Sequence, residues 1–164
     1  MARWKLIWEA QVEADVEAAP QQVWDVLSDV PRVGEWSHEC HTATWLDGHR
    51  EATVGAQFAG NNKAGMSRWR RRCTVTESEP AQLLAYRTSG GIPPDSTEWR
   101  FELEDLPTGG TRIHQSYRIL QMARPAEAMI YLLVPQHRDR REALCGDLLR
   151  LGEVAEGKVP STQV

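Results

Sequence analysis

The stretch VEAAPQQVWDVLSDVPRVGEWS, residues 16–37, decides the fold because its two prolines each introduce a short apolar helix. Pro20 suits the first turn of a helix, where the missing backbone N–H of proline costs nothing. Val23 and Leu27 follow at helical spacing, and this spacing predicts a helix over 20–28.

The segments on either side of this helix are equally regular. Residues 10–18 alternate apolar and charged, with Val12 and Val16 on one side, which predicts a strand with one buried face. After the helix, a Ser-Asp pair can cap a second short helix over 31–36. The sequence therefore predicts one strand followed by two short helices.

The middle of the chain is predicted to form six further strands. Turn residues, mainly glycine, proline and asparagine, separate them, and the stretch 61–65 is predicted to be one of these turns. Consecutive strands this close together can only pair as antiparallel neighbours. The predicted strands are 38–46, 54–60, 67–77, 83–89, 95–104 and 110–120.

The last third of the chain is predicted to be helical. A first helical segment opens at Pro125, and a longer amphipathic helix runs from Pro135 to about Glu156. Its apolar stripe, followed backwards, also takes in Arg141 and His137. The stripe itself consists of Leu144, Leu148, Leu151 and Ala155.

This order of elements predicts an α+β fold in which a curved seven-stranded antiparallel sheet wraps around the long C-terminal helix. A helix is only about 10 Å across, so it cannot fill the hollow of such a wide sheet. Either large side chains fill the remaining space or a cavity persists. The length of 164 residues suits one domain, with a core over about 10–156 and a frayed tail at 157–164.

Charge and composition exclude several classes of protein. The net charge of −4 disfavours nucleic-acid binding, which depends on positive charge for phosphate contacts. No apolar run reaches the roughly 20 residues of a membrane span, and no secretory signal is seen, so we expect a cytoplasmic protein. Three separated cysteines predict free thiols rather than disulfides or a zinc site. We expect neither a metal nor a cofactor.

Four stretches of the chain resemble the polyketide cyclase/dehydrase branch of the START and birch-pollen-allergen superfamily. The resemblance covers roughly residues 10–156 and implies a helix-grip fold with an elongated apolar cavity between the sheet and the C-terminal helix. Members of this superfamily bind or transport lipids, sterols and polyketides, and some are cyclases or aromatases. The stretches are VEAAPQQVWDVLSDVPRVGEWS (16–37), GAQFAGNN (55–62), STEWRFEL (96–103) and GTRIHQSY (110–117).

The stretch RWRRRC, residues 68–73, looks at first like a basic patch for nucleic acid. On a strand, however, alternate side chains point to opposite faces, and the face with the apolar residues must point to the core. The remaining arginines then form a solvated outer row. The inward set is Trp69, Arg71, Cys73 and Val75, and the outward set is Arg70, Arg72, Thr74 and Thr76.

Arg71 is the unusual member of the inward set, because a buried guanidinium needs a partner. It either pairs with a carboxylate for structural reasons or anchors an acidic or carbonyl-bearing ligand. The same alternation, applied to the other strands, predicts the cavity wall, with the segment 126–134 near the mouth. The predicted ligand-binding residues are Trp36, Phe58, Trp69, Arg71, Tyr86, Trp99, Gln115 and Tyr117.

No recognised catalytic motif is present in the sequence. His38 and His41 fall on opposite faces of a strand, so joint metal binding is not expected. Glu39 can act as a general base only if it is buried, and a solvated carboxylate is the expected state. His137, alone on the helix stripe, is expected to be packed rather than catalytic.

Three functions remain open at this stage. The leading hypothesis is binding, transport or sequestration of a small hydrophobic, ring-containing molecule that resembles a lipid or a polyketide. The alternative is a polyketide aromatase/cyclase or dehydratase in which Arg71, Gln115 and Tyr117 polarise a carbonyl group. The third is an interaction module, which a collapsed interior would favour.

Overall fold

The structure is a computed structural model that describes residues 4–158. Its order of strands and helices follows the predicted one, including two short helices after the first strand. The strands are β1 (Glu9–Val16), β2 (Cys40–Trp45), β3 (Gln57–Ala64), β4 (Ser67–Glu79), β5 (Leu83–Gly90), β6 (Asp95–Asp105) and β7 (Thr111–Gln121). The α-helices are α1 (Pro20–Leu27), α2 (Arg124–Leu133) and α3 (Arg141–Ala155), and 3-10 helices span Val30–Glu35 and Pro135–His137.

All seven strands belong to one antiparallel sheet with the order β1-β7-β6-β5-β4-β3-β2. The two edge strands, β1 and β2, are therefore the first two in the sequence. The two short helices between them carry the chain from one edge of the sheet to the other. The predicted α+β fold with a seven-stranded antiparallel sheet is confirmed.

Helix α3 lies unusually close to β1 because of a glycine. A Cβ added at the buried Gly152 would lie only 2.4 Å from Cγ1 of Val16, a distance that no packed side chain tolerates. This contact fixes the C-terminal half of α3 against the sheet. The apolar residues Leu144, Leu148 and Leu151 of α3 are buried, which confirms most of the predicted stripe.

The predicted alternation along the strands is also confirmed. Cys73 and Phe101 are buried, whereas Arg70 and Arg72 are exposed. Trp69 and Trp99 point to the same inner face but are only half-buried. They lie where the inner face opens into a cavity, so their rings are not covered by core residues.

Two predicted boundaries were wrong. The stretch 61–65 is not a turn as a whole, because β3 continues to Ala64 and pairs with β4 along its whole length. The reversal needs only Gly65 and Met66, and Gly65 adopts a positive φ of 58°. The backbone hydrogen bonds of the strand ladder outweigh the turn preference of the two asparagines.

The C-terminal helix begins at Arg141, six residues later than predicted. Pro135 starts a single 3-10 turn instead, and the chain bends again before α3. Arg141 is consequently exposed, and the inward-pointing residue is Arg140. The predicted frayed tail lies outside the described residues, except for its first two.

Candidate functional site

A cavity of about 490 Å³ lies between the inner face of the sheet and the helices. All eight residues predicted from the sequence contribute to its wall, and so does the segment 126–134. That these side chains contact a ligand stays a prediction. The wall residues in question are Trp36, Phe58, Trp69, Arg71, Tyr86, Trp99, Gln115 and Tyr117.

One part of the cavity wall is buried, and we call it the inner end. It consists of Trp36, Leu84, Phe101, Gln115 and Leu144. Aromatic contacts hold this end together. The ring of Phe101 meets that of Trp36 edge-on, with the centroids 6.0 Å apart. This contact joins the segment after the first 3-10 helix to strand β6.

Another part of the cavity wall consists of exposed apolar side chains, and we call it the outer end. Its residues are Ile92, Met129 and Leu133. Helix α2 supplies two of them and is attached to the N-terminal segment through the buried Glu127. The Glu127 carboxylate accepts hydrogen bonds from the Leu6 backbone N–H at 3.0 Å and from the indole N–H of Trp8 at 2.8 Å.

Glu39 is buried in the cavity wall, so the expectation of a solvated carboxylate was wrong. One carboxylate oxygen lies 2.8 Å from Nε2 of His137, and the other accepts a hydrogen bond from Arg140 at 2.6 Å. Burial by itself would raise the pKa of Glu39, but the charge of Arg140 and the His137 hydrogen bond lower it to about 2. Glu39 is thus an ionised, fully partnered carboxylate.

A second buried carboxylate, Asp147 of α3, continues this network. It accepts a hydrogen bond from the backbone N–H of His38 at 2.8 Å and lies 2.7 Å from Nδ1 of the same residue. Arg150 forms an ion pair with it as well. Nε2 of His38 is 3.7 Å from Glu39, so the two carboxylates belong to one chain of contacts. His41, in contrast, is exposed.

The sequence analysis missed Asp147 and Arg140. A signal for Asp147 was available, because it lies three residues after Leu144 and so falls within the apolar stripe of α3. A charged residue at such a position requires a buried partner. No local signal identified Arg140, because its inward direction depends on where α3 begins.

Two of the three residues proposed to polarise a carbonyl group are already engaged. Arg71 forms an ion pair with Asp95 at 2.6 Å, which is the structural alternative of the two considered. The Tyr117 hydroxyl donates a hydrogen bond to the backbone carbonyl of Ile7 at 3.0 Å. Of these three residues, Gln115 has a buried side-chain oxygen without a hydrogen-bond partner. That these three residues polarise a carbonyl group stays a prediction.

The cysteines are free thiols, as predicted. Burial raises the pKa of Cys73 to about 12 and, together with the charge of Glu39, raises that of Cys40 to about 11. Both are therefore protonated near neutral pH and are poor nucleophiles. Within residues 4–158, no group of three or more His, Cys, Asp or Glu side chains is arranged to hold a metal ion.

Comparison with known proteins identifies the family. A model of the polyketide cyclase/dehydrase and lipid transport family matches residues 8–136, so the chain belongs to this family. No curated protein sequence matches it. No helix within residues 4–158 is both long and apolar enough to cross a membrane.

Several solved structures share the fold. Protein TTHA0849 from Thermus thermophilus is 14% identical over 91% of this chain and 97% of its own, with a TM-score of 0.70. The Polyketide_cyc-like protein Cgl2372 from Corynebacterium glutamicum is 22% identical over 91% of both chains, with a TM-score of 0.57. The di-domain ARO/CYC StfQ from the steffimycin biosynthetic pathway is 16% identical over 90% of this chain and 44% of its own, with a TM-score of 0.64. At these identities the likeness shows the fold alone, which is the predicted helix-grip fold.

Proposed function

We propose that this protein binds a small hydrophobic, ring-containing molecule in the cavity between sheet and helices, and so transports or sequesters it. The observation that carries the proposal is the cavity of about 490 Å³, which lies in the size range of small-molecule sites. Its wall is dominated by aromatic and aliphatic side chains, and a few polar groups are set among them. This composition is typical of sites that take apolar ligands.

The aromatic wall is also organised in advance, which supports binding of a rigid ligand. Phe58 packs edge-on against Tyr86 at 5.3 Å, and Tyr86 stacks on Phe101 at 6.4 Å. These rings fix one another, so little side-chain entropy is lost when a flat molecule enters. Flat rings can then stack on or meet the edges of the wall rings.

A neutral, environment-sensitive dye such as Nile red tests this proposal. The native protein should take up the dye, and the dye should quench tryptophan emission. Ala43→Phe places a ring in the cavity, because Ala43 is buried in the wall, and it should lower the affinity at least several-fold. Thr44→Phe is the matched control, because Thr44 is exposed on the same strand. Absence of dye uptake by the native, folded protein would refute the proposal.

A second candidate function is a polyketide cyclase or dehydratase, and one observation favours it. Glu39 lies 2.8 Å from Nε2 of His137 in the cavity wall. When Nε2 donates its proton to the carboxylate, Nδ1 is the basic nitrogen of the imidazole. A carboxylate-oriented imidazole of this kind can remove a proton from a bound ketone.

This second candidate predicts an intramolecular aldol condensation of a poly-β-ketone thioester. The enolate carbon formed by proton removal attacks a second carbonyl of the same chain, and the β-hydroxyl so formed leaves as water when the imidazolium returns a proton and a further α-proton is lost. Mass spectrometry detects the dehydrated product. His137→Gln should abolish the dehydration, because an amide is not a base. His41→Gln, at an exposed histidine, should leave it unchanged. Equal product with and without the protein would eliminate the enzyme candidate and leave the binding function untouched.

A further inference from the structure

We propose that the face of the molecule at the outer end of the cavity docks on the surface of an anionic lipid bilayer. We call this surface the mouth face, and it consists of the segments 63–68, 90–94 and 124–138. The proposal goes beyond ligand binding in the cavity, because it concerns an exterior surface and its partner. Two independent observations carry it, namely the exposed apolar side chains of this face and the sign of the charges among them.

Contacts between the three segments place them on one side of the molecule. Ile92, Met129 and Leu133 line the same cavity, so the segments 90–94 and 124–138 meet at its outer end. The turn between β3 and β4 lies against the 3-10 helix that follows α2, because a Cβ added at Gly65 would be 3.4 Å from Nε2 of Gln136. The mouth face is therefore one surface rather than three separate ones.

Exposed apolar side chains are concentrated on the mouth face. Met66 and Ile92, in two of the connections between strands, are fully exposed. Three further side chains, each more than half exposed, belong to helix α2, and these are Met129, Leu132 and Leu133. Large exposed apolar patches are uncommon on soluble proteins and mark surfaces that bind proteins or membranes.

Aromatic side chains of the N-terminal segment border the mouth face. Trp4 and Trp8 are exposed, and both contact α2. The ring centroids of Trp4 and Tyr131 are 5.6 Å apart, and the Trp8 indole donates its hydrogen bond to Glu127. Tryptophan and tyrosine are enriched where proteins meet the boundary between lipid and water, because their rings are apolar and their N–H or O–H groups are polar.

The charges of the mouth face are opposite in sign to the net charge of the protein. The three segments carry four basic side chains, and all four are exposed: Lys63, Arg68, Arg124 and Arg138. Their single carboxylate, Glu127, is buried. The whole chain has a net charge of −4, so an anionic surface attracts this side of the molecule selectively.

These basic side chains are available for an external partner. Within residues 4–158, Lys63, Arg68 and Arg124 form no salt bridge with a carboxylate. They also flank the apolar side chains along the chain, since Met66 lies between Lys63 and Arg68 and helix α2 begins at Arg124. Long basic side chains can keep their charge at the level of the headgroups while neighbouring apolar side chains enter the hydrocarbon.

A bilayer fits this surface better than a second copy of the chain or a folded partner protein. An interface between two copies would bring the same basic side chains towards each other, and like charges in an interface are repulsive. A partner protein would need a surface of matching shape, but Met66 and Ile92 protrude singly from two different connections. Hydrocarbon accepts separate apolar side chains without a matching shape. In this orientation the outer end of the cavity faces the bilayer.

Flotation with lipid vesicles tests the proposal. The native protein should bind vesicles of equal parts phosphatidylcholine and phosphatidylserine about tenfold more tightly than vesicles of phosphatidylcholine alone. Raising the salt concentration should weaken binding to the anionic vesicles, because salt screens the attraction between arginine and phosphatidylserine.

Two variants and their matched controls locate the binding surface. Met66→Ser should weaken binding to the anionic vesicles about three- to tenfold, because an apolar side chain no longer enters the bilayer. Val54→Ser is its control, because Val54 is exposed in the connection between β2 and β3, outside the mouth face. Arg68→Glu should weaken binding about fivefold or more. Arg50→Glu, at an exposed position in the same connection as Val54, should leave it nearly unchanged.

The outcomes separate this proposal from the binding function of the cavity. Met66 does not line the cavity, so Met66→Ser should lose vesicle binding and keep its uptake of Nile red. If the native protein takes up Nile red but binds neither kind of vesicle, the docking proposal fails and the binding function stands. Equal binding to both kinds of vesicle, or equal losses in the controls and the mouth-face variants, would also overturn the proposal.

Light scattering identifies the occupant if the vesicles do not bind. A native dimer that becomes a monomer in Met66→Ser would assign the mouth face to a second copy of the chain. A native monomer would instead favour an acidic protein partner. Either result would overturn docking on a bilayer.

Discussion

Phe101 and Gln115, at the inner end of the cavity, are 1% and 3% exposed, whereas Ile92 and Leu133, at the outer end, are 101% and 68% exposed. The inner end is built mainly by strands in the middle of the sheet and by helices packed over them. The outer end is built by helix α2 and by the connection between β5 and β6. Under the proposed binding function, the packed inner end would select a ligand by its shape and the open outer end would admit it.

The network around Glu39 lies in the cavity wall as well. Arg140 contacts Glu39 and also lies over the rings of Trp99 and Tyr117, which are paired on the neighbouring strands β6 and β7. Arg140 thereby links the segment before α3 to the middle of the sheet. Substitutions at the inner end, in the network and at the outer end should lower the free energy of unfolding by successively smaller amounts.

Phe101→Ala should cause the largest loss, about 3–5 kcal/mol of the free energy of unfolding, because the Phe101 ring is fully packed at the inner end. Trp99→Ala, two residues earlier on the same face of β6, should cost clearly less, about 1–2 kcal/mol, because the Trp99 ring is half-buried. Urea unfolding monitored by circular dichroism measures both values. Equal losses would show that the cavity does not reach Trp99.

Glu39→Gln should destabilise the protein by about 3 kcal/mol at neutral pH, because it leaves Arg140 without its counter-charge. The pKa of Glu39 is lowered in the folded state from 4.5 to about 2, so ionised Glu39 stabilises the protein fully above pH 4.5. This contribution is lost as the pH falls towards 2.

The difference in stability between the native protein and Glu39→Gln should therefore shrink between pH 4.5 and pH 2. Chemical unfolding at a series of pH values measures it. Glu51→Gln, at an exposed position, is the control and should differ little from the native protein at every pH. A difference that stays constant down to pH 2 would mean that Glu39 is not held ionised by its partners.

The alternating strands could be predicted from the sequence because their pattern is local. The residues from Trp69 to Val75 show their inward and outward faces within a single strand, and a curved sheet with inward aromatics implies a cavity. The network could not be predicted in this way. Glu39 and His137 are 98 positions apart in the chain, and His38 and Asp147 are 109 apart, so only the folded structure brings them together.

The error at the start of α3 has a related physical cause. Pro135 is compatible with the first turn of either a 3-10 or an α-helix, and the local sequence does not distinguish them. The choice is made by tertiary contacts, namely the approach of His137 and Arg140 to Glu39. With the later helix start, Arg140 lines the cavity, whereas Arg141, which the predicted stripe took in, is exposed.

Leu133→Ser should have the smallest effect on stability and should test the outer end directly. Leu133 lines the cavity and is 68% exposed. Leu149 of α3 lies away from the cavity and is 53% exposed, so Leu149→Ser is the matched control. Serine replaces leucine in a helix at either site. The free energy of unfolding should therefore fall by a similar small amount in the two variants, about 0.5–1 kcal/mol. Only Leu133→Ser should also lower the affinity for Nile red, by about two- to threefold, because part of the apolar surface at the entrance is removed. Equal dye affinities in the two variants, measured by fluorescence titration, would show that α2 forms no part of the binding surface.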